Sequence, residues 1–85
     1  ITKINMIYSE GKIIEKQKEL EKGEYENCTF LNCDFTENDF SGYKFISCHF
    51  DTCNLSLVKL QKTSFIDVVF ASCKMLGLQF QHCHH

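Results

Sequence analysis

The sequence predicts an all-β solenoid of about three stacked square coils, preceded by a short segment that caps it. Three observations carry this. Every fifth residue from Tyr25 onward is large and apolar: Tyr25, Phe30, Phe35, Phe40, Phe45, Phe50, Leu55, Leu60, Phe65, Phe70, Met75 and Phe80. All six cysteines (Cys28, Cys33, Cys48, Cys53, Cys73 and Cys83) fall two residues before a multiple of five. The chain contains no proline, as stacked coils that need every backbone donor require.

A period of five fits neither an α-helix nor a flat strand. It needs a backbone that turns a corner every five residues, so that one residue of each set always points inward. Four corners close a square coil of twenty residues, and successive coils then stack by strand-like hydrogen bonds about 4.8 Å apart. Each coil buries its apolar face only against its neighbours. Folding the chain at a period of twenty gives four inward ladders: Tyr25, Phe45 and Phe65; Phe30, Phe50 and Phe70; Phe35, Leu55 and Met75; Phe40, Leu60 and Phe80. The position two residues earlier forms a second set, with Cys28, Cys48 and Val68 on one face and Cys33, Cys53 and Cys73 on another.

The units read Cys28-Thr29-Phe30, Cys33-Asp34-Phe35, Asn38-Asp39-Phe40, Cys48-His49-Phe50, Cys53-Asn54-Leu55 and Cys73-Lys74-Met75. This pattern resembles the pentapeptide-repeat family, in which a small residue, a polar residue and then Leu or Phe precede two variable positions. The resemblance covers residues 23 to 84. It implies a right-handed quadrilateral β-helix with the central Phe or Leu and the small residue both pointing inward. Tyr43 and Leu78 depart from the small-residue rule and mark either a local widening of the coil or a different corner.

Six cysteines among 85 residues would ordinarily signal a secreted disulfide scaffold or a zinc module. Stacked cysteines lie within the Cα separation a disulfide tolerates. Their Cβ vectors run parallel up a ladder, however, and a free Cys behaves as a small, readily buried hydrophobe. The thiols are therefore expected to be reduced core. A zinc site through Cys28 and Cys33 is disfavoured, because their spacing is the repeat itself.

Residues 1–23 form the capping segment and residues 24–85 the repeat, which is expected to continue in a longer protein. In the segment, Ile4, Met6 and Tyr8 alternate with polar residues, as in a short strand. The stretch 12–22 is rich in helix formers and ends at Gly23, which reads as a helix. The pair Ile13-Ile14 equally extends the strand. In either form the segment is expected to cover the open end of the first coil, since solenoid ends expose unpaired edges. No apolar run approaches the roughly 20 residues of a membrane span, and a cytoplasmic location is the expectation from the reduced cysteines.

No catalytic constellation, nucleotide loop or HExxH motif is present, and a solenoid packed with Phe rings offers no catalytic pocket, so neither an enzyme nor a cofactor is expected. His82, Cys83, His84 and His85 form a metal-like cluster, but adjacent residues cannot all converge on one ion without an irregular backbone. They read as a chain end, and His49 as a surface residue.

The surface carries the functional signal. A net charge of −2 excludes the strongly basic face of a nucleic-acid binder. The acids concentrate at one end: residues 24–43 hold Glu24, Glu26, Asp34, Glu37 and Asp39 and no lysine, whereas the later coils hold Asp51 and Asp67 against Lys44, Lys59, Lys62 and Lys74. That acidic end is either a solubility feature or a face that steers a basic partner. Ile46 and Ile66 stack on one outward column, forming either a contact for a partner or second copy, or a surface covered by the N-terminal segment.

Two functions follow. The pentapeptide-repeat resemblance implies a non-enzymatic bacterial scaffold that presents a protein-binding surface, alone or as a homodimer. The run from Glu24 to Phe35 also resembles the start of the quinolone-resistance members, which implies a DNA-mimicking rod that binds DNA gyrase or topoisomerase IV. A DNA mimic needs regular negative charge along its length. The lysines of the later coils depart from that, and so does the register, uninterrupted by any projecting loop from residue 25 to 80. The scaffold reading leads.

Overall fold

The computed structural model describes residues 6–83. Its strands are β1 (Ile7–Glu10), β2 (Ile13–Glu15), β3 (Gly23–Glu26), β4 (Thr29–Leu31), β5 (Lys44–Ile46), β6 (His49–Asp51), β7 (Ser64–Ile66) and β8 (Val69–Ala71), followed by a 3₁₀ turn over Phe80–His82. They form two parallel sheets, ordered β1-β3-β5-β7 and β2-β4-β6-β8. The other two sides of the square are held by bridges from Asp34 to Asn54 to Lys74 and from Asp39 to Lys59.

The twenty-residue register holds through the repeat, with Tyr25 opposite Phe45 and Phe45 opposite Phe65, and with Phe30, Phe50 and Phe70 aligned likewise. Each corner is made by the second residue after an inward one. Asn27, Asn32, Glu37, Gly42, Ser47, Thr52, Leu57, Lys62, Asp67, Ser72 and Gly77 all have positive φ. That conformation is what converts a strand into a right-angled turn every five residues.

Aromatic rings fill the interior. Up the ladders they stack: Phe30 on Phe50 at 4.5 Å between centroids, Phe45 on Phe65 at 5.4 Å, Phe50 on Phe70 at 5.2 Å. Within a coil neighbouring rings meet edge to face, as Phe45 and Phe50 do at 5.3 Å and 71°. The parallel register imposes the stacking, and the edge-to-face contacts between ladders supply the geometry that aromatic quadrupoles favour. Tyr25, Phe30, Phe35, Phe40, Phe45, Phe50, Leu55 and Leu60 are buried, as are Cys28, Cys33, Cys48 and Cys53. In the third coil Phe65, Phe70, Met75 and Cys73 are only partly buried. Phe80 departs from its expected place in the core: it is 40% exposed. It meets Phe65 and Phe70 edge-on, but its backbone leaves the ladder in the 3₁₀ turn.

Of the two forms open to residues 12–22, the strand is the one that forms, at Ile13–Glu15, and the helix does not. Gly11 and Lys16 have positive φ and bracket β2, which pairs in parallel with β4, Ile14 opposite Phe30. An isolated helix of that length is marginal, and the edge of the first repeat coil offers backbone partners at once. Ser9 lies opposite Tyr25, so the N-terminal coil takes sixteen residues instead of twenty. Its corners at Gly11 and Lys16 still follow inward residues, Ser9 and Ile14, by two. The five-residue pattern therefore extends into this segment, displaced by one residue. Ile4 of the expected strand lies outside the described residues, whereas Tyr8 stands in β1.

Candidate functional site

The slot two residues before each inward ring does more than fill space. The Cys48 thiol donates to the Tyr25 carbonyl at 3.2 Å, Cys53 to Phe30 at 3.3 Å and Cys73 to Phe50 at 3.2 Å, each reaching one coil back. Thr63 donates its hydroxyl to Phe40 at 2.7 Å, and Tyr43 its phenol to Leu20 at 2.7 Å, from the same slot. A carbonyl oxygen has two lone pairs, so it accepts these beside any backbone bond. Tyr43 is thus no irregularity: its long side chain reaches the shortened N-terminal coil. Burial pushes the Cys53 thiol up to about 12 and raises that of Cys48 as well, which makes them poor nucleophiles. All six cysteines are free, and no group of metal-ligating side chains occurs among the described residues. His84 and His85 lie outside them.

With the interior full, only the outer faces remain for recognition. The acids expected to form an interaction surface are largely engaged within the chain. Asp34 accepts from the Thr36 amide at 3.1 Å and hydroxyl at 2.5 Å, and Asp39 from the Ser41 amide at 2.9 Å. These bonds hold both carboxyls below the usual range. Glu24 faces Lys44 at 4.0 Å, and Glu26 accepts the Tyr8 phenol at 2.7 Å, which raises that phenol to about 12. Glu37 occupies a corner, exposed. These acids sit on three different faces of the first repeat coil.

Ile46 and Ile66 are adjacent in register on the outside of β5 and β7, Ile66 45% exposed. The N-terminal segment does not cover them, because it stacks beneath β3 and β4. Along three columns acid gives way to lysine: Glu24 to Lys44, Asp39 to Lys59, Asp34 through Asn54 to Lys74. Among the hollows formed by the described residues are one of about 520 Å³ and one of about 350 Å³. The larger opens on the side that carries Asp39 and Lys59 and is bounded by Gln61, Gln79 and His82. Sequence reading missed it, since its walls come from three coils and only the twenty-residue fold brings them together.

No family model matches the chain, and no curated protein does. Among solved structures, full-length QnrB1, a plasmid-mediated fluoroquinolone resistance protein, superposes with a TM-score of 0.65 at 22% identity over 91% of this chain. A trypsin-treated variant of the same protein superposes with a TM-score of 0.56 at 32% identity over 78% of this chain. The chain spans 48% and 34% of the lengths of those structures. No helix among the described residues is long and apolar enough to cross a membrane. With its five-residue register, parallel coils and inward aromatic ladders, the chain is a pentapeptide-repeat solenoid similar in fold to that resistance protein.

Proposed function

We propose that the chain is a non-enzymatic scaffold whose outer faces present a binding surface to a protein partner or to a second copy. The observation that carries this is the division of the molecule. Stacked rings occupy the centre, while Ile66, Leu57 and Leu76 stand in solvent at 45, 54 and 69% exposure. Exposed aliphatic side chains on a rigid frame are what an interface uses. Reduced thiols in the core suit a cytoplasmic setting. The test is capture of a cross-linked partner, or of a second copy, by the intact protein and by an Ile46→Lys/Ile66→Lys variant. Loss of capture in the variant supports the reading. Undiminished capture removes this face from it.

The likeness to QnrB1 favours a second reading, protection of a type II topoisomerase from fluoroquinolones by a DNA-like rod. Against the DNA-like part stand three charged columns, in which lysine succeeds acid within one or two coils. Phosphates repeat without changing sign. Gyrase supercoiling with a fluoroquinolone, with and without the protein, decides it. Absence of protection at micromolar protein removes the second reading.

A further inference from the structure

We propose that Cys33 and Cys53, stacked in adjacent coils, form a two-coordinate site for a soft monovalent metal ion of the copper(I) and silver(I) class. Their neighbours Asp34 and Asn54 bridge in parallel, so the two cysteines sit in register one coil apart. Their side chains also point alike. Each Sγ lies 3.4 Å from the carbonyl two residues before it, Leu31 or Asp51. Each also turns to the coil beneath, Cys33 to the Ile14 carbonyl at 3.6 Å and Cys53 to that of Phe30 at 3.3 Å. Two sulfurs held alike in stacked coils are separated by the coil spacing, about 4.8 Å. A metal–thiolate bond is about 2.3 Å long, so two in line span about 4.6 Å. The ladder therefore presents the sulfur pair of a linear dithiolate, and thiolate sulfur selects soft ions such as copper(I). Among the described residues no three His, Cys, Asp or Glu side chains gather as ligands, so the site is not of the four-ligand zinc type.

The smaller hollow, about 350 Å³, gives the ion its way in, since both cysteines line it. Asp34 and Lys74 line it too with opposite charges, so the affinity comes from sulfur. On binding, each S–H bond breaks and each sulfur gives its electron pair to the ion. The products are a singly negative dithiolate complex and two protons released to water. A coordinating thiol is deprotonated outright, so the thiols need not be ionised beforehand. The carbonyls beside them keep backbone donors: Leu31 accepts the Lys16 amide and Asp51 the Asn32 amide, each at 3.0 Å. Cys28 and Cys48 are stacked in the same way, but neither lines this hollow.

The experiment is native mass spectrometry and urea denaturation of the intact protein with silver(I), in chloride-free buffer with excess free cysteine to strip ions from single thiols. One silver ion is expected to stay bound and to raise the urea midpoint. Cys33→Val and Cys53→Val are each expected to lose both the ion and the rise. Valine already fills this slot at Val58 and Val68, and the metal-free urea transition of each variant checks that it folds. Cys48→Val, in the other ladder, is expected to keep both. Zinc(II), which takes four ligands, is expected to leave the midpoint unmoved. Retention of silver by Cys33→Val or Cys53→Val, an equal loss in Cys48→Val, a zinc response like that to silver, or a parent protein that holds no silver overturns the proposal.

Discussion

The Cys53 thiol lies 3.3 Å from the Phe30 carbonyl oxygen and donates to it across the boundary between two coils. The bond adds to the stacking of Phe30 on Phe50, so each step of the solenoid is fastened beside its ring as well as through it. Replacing Cys53 by Ala removes both the donor and a buried sulfur and is expected to cost about 1–3 kcal/mol. Replacing it by Val, the residue that fills this slot at Val58 and Val68, removes only the donor and is expected to cost about 1 kcal/mol. Urea denaturation of the two variants measures the difference. Equal stability of the parent protein and Cys53→Val, with Cys53→Ala still weaker, would mean the thiol is filler alone.

Those thiols also set an alkaline limit. Burial raises the Cys53 pKa from 9.0 to about 12 and raises that of Cys48 in the same direction. A group whose folded-state pKa lies above its unfolded value contributes stability that is fully present below the unfolded pKa. That contribution is lost as pH rises toward the folded value. The urea midpoint is therefore expected to hold up to about pH 8.5 and to fall from pH 9 to 12. Cys53→Val should flatten part of that fall. An unchanged slope in the variant would assign the loss to other groups.

Burial along the ladders predicts unequal costs for the same substitution. Phe50 is fully buried, with rings above and below it, and Phe50→Ala is expected to cost about 3–5 kcal/mol. Phe80 is 40% exposed and meets rings on one side only, so Phe80→Ala should cost about 1–2 kcal/mol. Thermal unfolding by circular dichroism separates them. A cost below 1 kcal/mol at Phe50 would contradict the ring stack.

The five-residue spacing made the ladders legible because one inward position repeats without exception from Tyr25 to Met75, and regular chemistry follows regular geometry. The N-terminal coil was not legible for a physical reason. Four residues are missing from its far sides, so Ser9 and Ile14 stand one residue out of phase, and Ser9 is not even apolar. Helix-forming side chains at 12–22 stood level with the strand signal of Ile13-Ile14, and only the sheet edge, which supplies more hydrogen bonds than a lone helix could, decides between them. The donor role of the small slot was visible only in Thr63 and Tyr43, which share nothing with cysteine except an X–H group. The acidic end was read as a surface because charge can be counted in sequence; its internal partners, Thr36, Ser41, Lys44 and Tyr8, appear only once the coils are stacked.

The corners hold strain that a single substitution can release. Thr52 sits at φ 55, where a β-branched side chain is disfavoured, and its amide donates to the Ala71 carbonyl at 2.9 Å. Thr52→Gly keeps that bond and relieves about 1–2 kcal/mol of left-handed strain, against about 0.5–1 kcal/mol of added chain entropy. A net gain of about 0.5–1 kcal/mol is expected. Asn32→Gly, at φ 51, is the control, since Asn tolerates this region, and should change stability by less than 0.5 kcal/mol. If the two substitutions act alike, corner strain at Thr52 is not what was relieved.

Gly23 is required by an approach of chains, since it lies opposite Ile7 where β1 meets β3. A methyl group on its Cα would stand 2.8 Å from the Ile7 nitrogen, 2.7 Å from Cγ1 and nearer still to the carbonyl oxygen. The blocking atoms are mostly backbone, so no side-chain rotation makes room. Gly23→Ala must therefore push β1 off the edge of β3 while leaving the rows from Tyr25 to Phe65 intact. Hydrogen exchange is the measurement. Protection is expected to vanish at Ile7 and Gly11, whose amides donate to Lys22 and Glu26, and to persist at Ser47 and Thr52. Loss of protection at all four amides would show that the N-terminal coil and the repeat unfold as one unit, and retention at all four would show that β1 tolerates the methyl group.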